Sequence, residues 1–161
     1  MNNTDTYIEL VNDQTMIDAF RNLSVENMRE VGRYAFGQAL PIIQQSAIGI
    51  LEGEGINIDS IDRRSHKSMR EGVTMKVYDD GSGGSVTALG EFKLKWFTTG
   101  TDERWQNVKH GKERSTGKAR YLGQIQPTYF LTRGYEAAES MYETQLEDMI
   151  IEGINRLLNN Q

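Results

Sequence analysis

Cysteine is absent from this 161-residue chain, which removes disulfides, thiolate zinc sites and cysteine nucleophiles together. Only two histidines occur, His66 and His110, far apart and each beside a lysine. A metal centre needs several convergent ligands, so both are expected to be solvated, and no metal or cofactor is expected. No apolar stretch approaches the ~20 residues that span a bilayer. The N-terminal MNNTDTYIEL lacks a basic region followed by an apolar run, so no signal peptide is expected either. These absences together predict a soluble protein without a membrane partner.

Catalytic signatures are equally scarce. Gly111-Lys112-Glu113-Arg114-Ser115-Thr116-Gly117-Lys118-Ala119 resembles a phosphate-cradling loop. It fails because five residues rather than four separate the glycines, and Ala119 stands where a hydroxyl would hold magnesium. Ser65 and Ser68 show neither an elbow nor a triad order. Glu147-Asp148 could act as an acid and base pair, but a carboxylate stripe on a helix is more often a solvated or docking face. The chain is therefore not expected to be an enzyme.

What is present is a strong separation of charge within an acidic whole. The net charge is −5, with 25% charged and 37% hydrophobic residues, ordinary for a globular domain. Thr99 to Gln126 holds Arg104, Lys109, Lys112, Arg114, Lys118 and Arg120 against Asp102, Glu103 and Glu113, a net +3. A second basic island, residues 63–76, is net +4. Downstream, Glu136, Glu139, Glu143, Glu147, Asp148 and Glu152 occur with no base between Gly134 and Asn155. A DNA-gripping protein is usually basic overall, because phosphate contacts dominate its affinity.

Along the chain, residues 1–13 read as an arm, with Tyr7, Ile8, Leu10 and Val11 as docking points. Residues 15–52 form a helical region: a short helix over Thr15 to Asn22, then a longer one capped by Ser24 with Glu26 near its positive end. Met28, Val31, Ala35, Ala39, Ile42, Ser46 and Ile50 mark the apolar stripe of that helix. Pro41 inside it predicts either a kink near Gly37 to Pro41 or two helices meeting at a turn. Residues 73–97 predict an antiparallel sheet. Val73, Met75 and Val77 alternate with polar neighbours, Asp79 to Gly84 supplies the turn, and Val86 to Leu89 pairs back. Glu91 to Phe97 predicts a further half-buried strand, with Phe92, Leu94 and Trp96 inward and Glu91, Lys93 and Lys95 outward.

Residues 99–126 predict a long loop, and loops of that length inside a compact domain usually bind something. A final helix over 128–158, capped by Thr128, carries Leu131, Tyr135, Ala138, Tyr142, Met149, Gly153 and Leu157 near one face. The expected fold is α+β in a single domain over 1–161. A small antiparallel sheet of three to four strands would pack against a kinked N-terminal helix and a long C-terminal helix.

A basic loop and an acidic helix on one chain suggest copies docked head to tail. The expected interface residues are Arg104, Trp105, Lys112, Arg114, Lys118, Arg120 and Tyr121 on the loop. Glu136, Glu139, Glu143 and Glu147 face them from the helix. Trp105, Tyr121, Tyr129 and Phe130 are candidate aromatic anchors, either for a neighbour or for pinning the loop to its own subunit. A second reading is a nucleic-acid-binding module using 63–76 and 104–120, with Trp105 and Tyr121 as stacking platforms.

Three segments carry a family resemblance. Arg63-Arg64-Ser65-His66-Lys67-Ser68-Met69 is a basic stretch ending at a serine. Trp96-Phe97-Thr98-Thr99-Gly100-Thr101 is an aromatic strand exit. Gln126-Pro127-Thr128-Tyr129-Phe130-Leu131, followed by Gly134 to Ala138, leads into the final helix. In this order, over residues 15–158, they resemble the tail-completion, head–tail joining and tail-terminator proteins of long-tailed bacteriophages. The resemblance implies a structural virion protein of the neck, assembled in the host cytoplasm as a ring at the head–tail junction, hexameric for a tail terminator. It implies as partners other copies of itself, a tail tube protein and a head-closure or adaptor protein, with genomic DNA passing through the channel without sequence recognition.

Overall fold

Ser24 opens the first long helix by accepting a hydrogen bond from the Asn27 N–H at 3.2 Å, and Glu26 lies in the first turn. In the computed structural model, which describes residues 24–63, 65–106 and 120–159, that helix is α1, Val25–Gly53. It runs unbroken through Pro41, which excludes two helices meeting at a turn. The missing Pro41 N–H costs one bond to Gly37; packing on both sides of the proline holds the helix together. The arm at 1–13 and the helix expected over Thr15 to Asn22 lie outside the described residues.

Of the expected apolar stripe of α1, Met28 is exposed and Val31, Ala35 and Ala39 are buried, after which the buried line shifts by one position. Leu40, Ile43, Ala47, Ile48 and Leu51 are buried, whereas Ile42, Ser46 and Ile50 are only partly so. Val31, Ala35, Ala39, Ile43, Ala47 and Leu51 form a single ridge spaced by four, the spacing of helix-on-helix packing. Its partner is α4, Phe130–Asn159. A Cβ on Gly134 would fall 2.6 Å from the Ala47 Cα, and one on Gly153 would fall 3.1 Å from a Val31 methyl. The helices are therefore antiparallel and nearly touch at Ala47.

At that end the core fills with Ala47, Ile48, Leu51, Ile58, Met69, Val73, Ala88, Leu94 and Phe130. Phe130 is 0% exposed, and its burial contributes roughly 1.5–3 kcal/mol. Phe130 is thus a core residue and not an interface anchor.

The sheet departs from expectation. Helix α2, Met69–Gly72, precedes β1, Thr74–Val77, which pairs antiparallel with β2, Gly84–Thr87. The turn between them uses Gly81 at φ 70, and its carbonyl packs against Gly32 of α1. No third strand joins this ladder among the described residues. Glu91 to Phe97, expected as a strand, is a turn followed by helix α3, Leu94–Thr99.

The reason lies in the spacing of the side chains. Glu91 and Leu94, three apart, are the buried pair, while Phe92 and Trp96, four apart, meet edge to face at 5.3 Å. Alternation over seven residues had matched both periods. Glu91, expected outward, is 2% exposed. Its Oε2 accepts the Lys93 N–H at 2.8 Å, and its Oε1 has no partner among the described residues.

The long loop at 99–126 is also partly regular. Arg104–Gln106 (β3) and Arg120–Gly123 (β4) pair antiparallel, with Trp105 opposite Tyr121 and Gln106 opposite Arg120. Among the described residues, two separate two-stranded ladders thus stand where one sheet of three to four strands was expected. Thr128, expected to cap the last helix, instead donates its hydroxyl to the Phe97 carbonyl at 3.0 Å. Its N–H donates to the same oxygen at 2.8 Å, so α4 is hooked to the end of α3.

The Ala47–Gly134 contact yields a paired test. Gly134→Ala is expected to destabilise the protein by about 1–3 kcal/mol, because the methyl meets backbone that cannot yield. Gly49→Ala, where a Cβ meets nothing within 4 Å, is expected to stabilise by about 0.5–1 kcal/mol through helix propensity. Urea unfolding of both variants checks the sign of each.

Candidate functional site

The final helix is buried at its two ends and exposed between them. Phe130, Gly134 and Ala138 are buried at one end and Gly153 and Ile154 at the other; no residue from 139 to 152 is fully buried. Glu136, Glu139, Glu143 and Glu147 recur at intervals of three or four and all are exposed, so they form one stripe on the outer face. Among the described residues, Glu136, Glu143 and Glu147 make no ion pair, and Glu139 accepts only the Tyr135 hydroxyl, at 3.2 Å. Glu152 belongs elsewhere. It pairs with Arg156, whose guanidinium lies 4.7 Å over the Tyr34 ring.

The expected basic counterpart is described only at its base. Arg104 is exposed; Trp105 and Arg120 occupy ladder positions in β3 and β4. Tyr121 and Leu122 are 48% and 47% exposed. Lys112, Arg114 and Lys118 lie outside the described residues. Tyr129 is exposed, at φ 51, immediately before α4. The structure therefore brings the four glutamates onto one face, and Arg104, Trp105, Arg120 and Tyr121 onto one hairpin.

One arginine of the second basic island is occupied with its own fold. Arg70 donates to Asp59 at 2.7 Å and to Glu52 at 2.5 Å. These bonds hold the Asp59 carboxyl below its usual range and raise the arginine further above its own. Ser68, the serine of the motif, is buried and caps α2 in a reciprocal box with Glu71. Asp62 accepts the Ser65 N–H at 2.9 Å and meets the Lys93 ammonium at 3.0 Å. This cluster shapes a loop, whereas Arg63, Lys67 and Lys76 are exposed and make no ion pair among the described residues.

Sequence reasoning missed a groove. A cavity of about 330 Å³ lies between β2 and α4, lined by Leu40, Ile43, Gly84, Ser85, Val86, Leu131, Tyr135 and Tyr142. Helix α1 supplies Leu40 and Ile43, the strand supplies one wall and α4 the other. The carboxylates reach its rim: Glu139 raises the Tyr135 hydroxyl pKa by accepting its hydrogen bond. Burial, then the charge of Glu143, raises that of Tyr142. Leu131, Tyr135 and Tyr142 were legible as members of a stripe near one face of the helix, but nothing in the stripe pointed to a groove.

Among the described residues no group of three or more histidines or acids could hold a metal ion, and no helix is long and apolar enough to cross a membrane. No family model, curated protein or solved structure matches the chain.

The Ser68–Glu71 box carries a pH signature. The Ser68 N–H and hydroxyl donate to Glu71 Oε2 at 2.7 and 2.9 Å and hold its carboxyl below the usual glutamate range. A group depressed on folding stabilises above its unfolded value, about 4.3 for glutamate. That contribution is lost as pH falls through the lower folded value. Glu71→Gln is therefore expected to flatten the fall of the urea midpoint between about pH 5 and pH 3. Ser68→Ala is expected to cost about 1 kcal/mol at neutral pH. Equal pH slopes in wild type and Glu71→Gln would contradict this assignment.

Proposed function

We propose that this chain is a self-assembling structural protein of the bacteriophage neck, forming a ring at the head–tail junction that completes or terminates the tail tube. One observation carries the reading: an exposed stripe of four carboxylates on α4, without ion-pair partners among the described residues. The same chain carries basic residues on a separate hairpin. The order of the three motifs, and their resemblance to tail-completion and terminator proteins, supports reading such an assembly as part of a virion. Docking of unlike patches is heterologous, and a heterologous contact closes into a ring when its rotation divides the circle.

In this reading the ring, a hexamer if it is a terminator, sits on the tail tube protein and receives a head-closure or adaptor protein. DNA passes through its channel without sequence recognition. An acidic protein suits that role, since a net negative lumen repels phosphate and lets the duplex slide. Nucleic-acid binding as the main task is disfavoured by the net charge of −5, because phosphate contacts dominate such affinity, and Arg70 is already paired with Asp59 and Glu52.

Sedimentation and native mass measurement test the proposal. Wild type is expected to assemble, and Glu139→Lys/Glu143→Lys/Glu147→Lys is expected to remain a folded monomer. Exposed pairs contribute only ~0–1 kcal/mol each. Raising salt from about 0.1 to 1 M is therefore expected to slow assembly more than it dissolves finished rings. A wild type that stays monomeric with and without tail tubes, or a triple variant that assembles as well as wild type, would refute the reading. Tight, steeply salt-dependent binding of short oligonucleotides would point to the nucleic-acid alternative instead.

A further inference from the structure

Among the described residues, strands β1 and β2 form a ladder of two, and β2 has an open edge on the side away from β1. The Tyr78 N–H donates to the Gly83 carbonyl at 2.9 Å, which fixes the alternation of the antiparallel pair. Lys76 with Ser85, and Thr74 with Thr87, are then the residues that exchange hydrogen bonds. The N–H and C=O groups of Gly84 and Val86 point the other way, and no backbone partner meets them among the described residues. That edge borders the groove lined by Leu40, Ile43, Leu131, Tyr135 and Tyr142. An open row of donors and acceptors beside an apolar floor is the arrangement that accepts an added strand.

We infer that this groove seats strand β4 of a second copy of the chain, added along the free edge of β2. The inference rests on the self-assembly reading and names its contact. Charge complementarity selects the occupant. Glu139 and Glu143 stand beside Tyr135 and Tyr142 at the rim, while the β3–β4 hairpin carries Arg104 and Arg120.

The hairpin suits the seat in shape as well. Among the described residues it is itself a two-stranded ladder, separate from β1–β2 in its own subunit, with the outer edge of β4 unpaired by any third strand. Tyr121 and Leu122 are about half exposed and, as neighbours on a strand, project to opposite faces. One of them can enter the groove while the other stays outside. Each copy donates a strand at one place and receives one at another, so the contact propagates from copy to copy.

The absence of cysteine makes the test direct. Ser85→Cys and Leu122→Cys are prepared as two separate full-length proteins, each checked by circular dichroism, then mixed under mild oxidation. Facing strands bring Cα atoms within disulfide range, so a mixed covalent dimer is expected at about tenfold or more above the dimer formed by either variant alone. Native mass measurement of wild type runs beside it. Rings without preferential mixed cross-linking would overturn this contact and leave the assembly reading standing. Monomers throughout, with and without tail tubes, would overturn both.

Discussion

Gly134 brings the backbone of α4 against Ala47 of α1, with only the alanine methyl beside the contact, and the exposed stripe and the groove follow from that approach. Because α4 is fixed at Gly134 and again where Gly153 meets Val31, its middle need not be buried to be held. The carboxylate stripe is therefore displayed on a helix whose position is set elsewhere. The same helix α1 also carries the sheet. Leu40 packs against Gly84, and the Gln44 amide donates to the Val73 carbonyl at 2.6 Å. With β2 and α4 both resting on α1, the space between them becomes the groove. A bulkier residue at 134 would lift α4 and change the width of that space, so helix packing and the shape of the groove are linked through one glycine.

Local chemistry was legible in the sequence and long-range placement was not. Ser24 and the glycine-rich turn at 79–84 were found because a cap or a positive-φ turn is decided by a few adjacent residues. The two long helices were found because their stripes run over many turns. Glu91 to Phe97 failed because seven residues cannot separate a period of two from one of three to four, and burial of Glu91 and Leu94 decided for the helix. β3 and β4 were hidden among arginines and glutamines, their pairing visible only once Trp105 stood opposite Tyr121. For the candidate site, spacing alone placed Glu136, Glu139, Glu143 and Glu147 on one face. The groove needed Val86 and Tyr142 side by side, which no local pattern encodes.

The segments that carry the family resemblance all perform folding tasks. Ser68 closes a capping box, Phe97 accepts both hydrogen bonds from Thr128, and Phe130 fills the core. Their order therefore speaks first to a fold, and folds host many functions. What distinguishes this chain lies outside them, in the carboxylates of α4 and the open edge of β2.

The energetics of such a contact bear on where assembly would occur. A strand of four residues adds only a few backbone hydrogen bonds, each worth about 0.5–1.5 kcal/mol net. Exposed ion pairs at the rim add little more and are screened by salt. One aromatic or leucine side chain entering a groove of this size contributes on the order of 2 kcal/mol, and losses of translational and rotational freedom oppose all of it. A single contact between two copies is then weak. In a closed circle each copy makes two, and the last joint forms within one molecule at high effective concentration. A platform that holds several copies in register supplies the same advantage before closure. A weak, directional, repeated contact therefore favours rings built on a template over free dimers. That is the behaviour a component needs when it must cap a finished structure without capping itself.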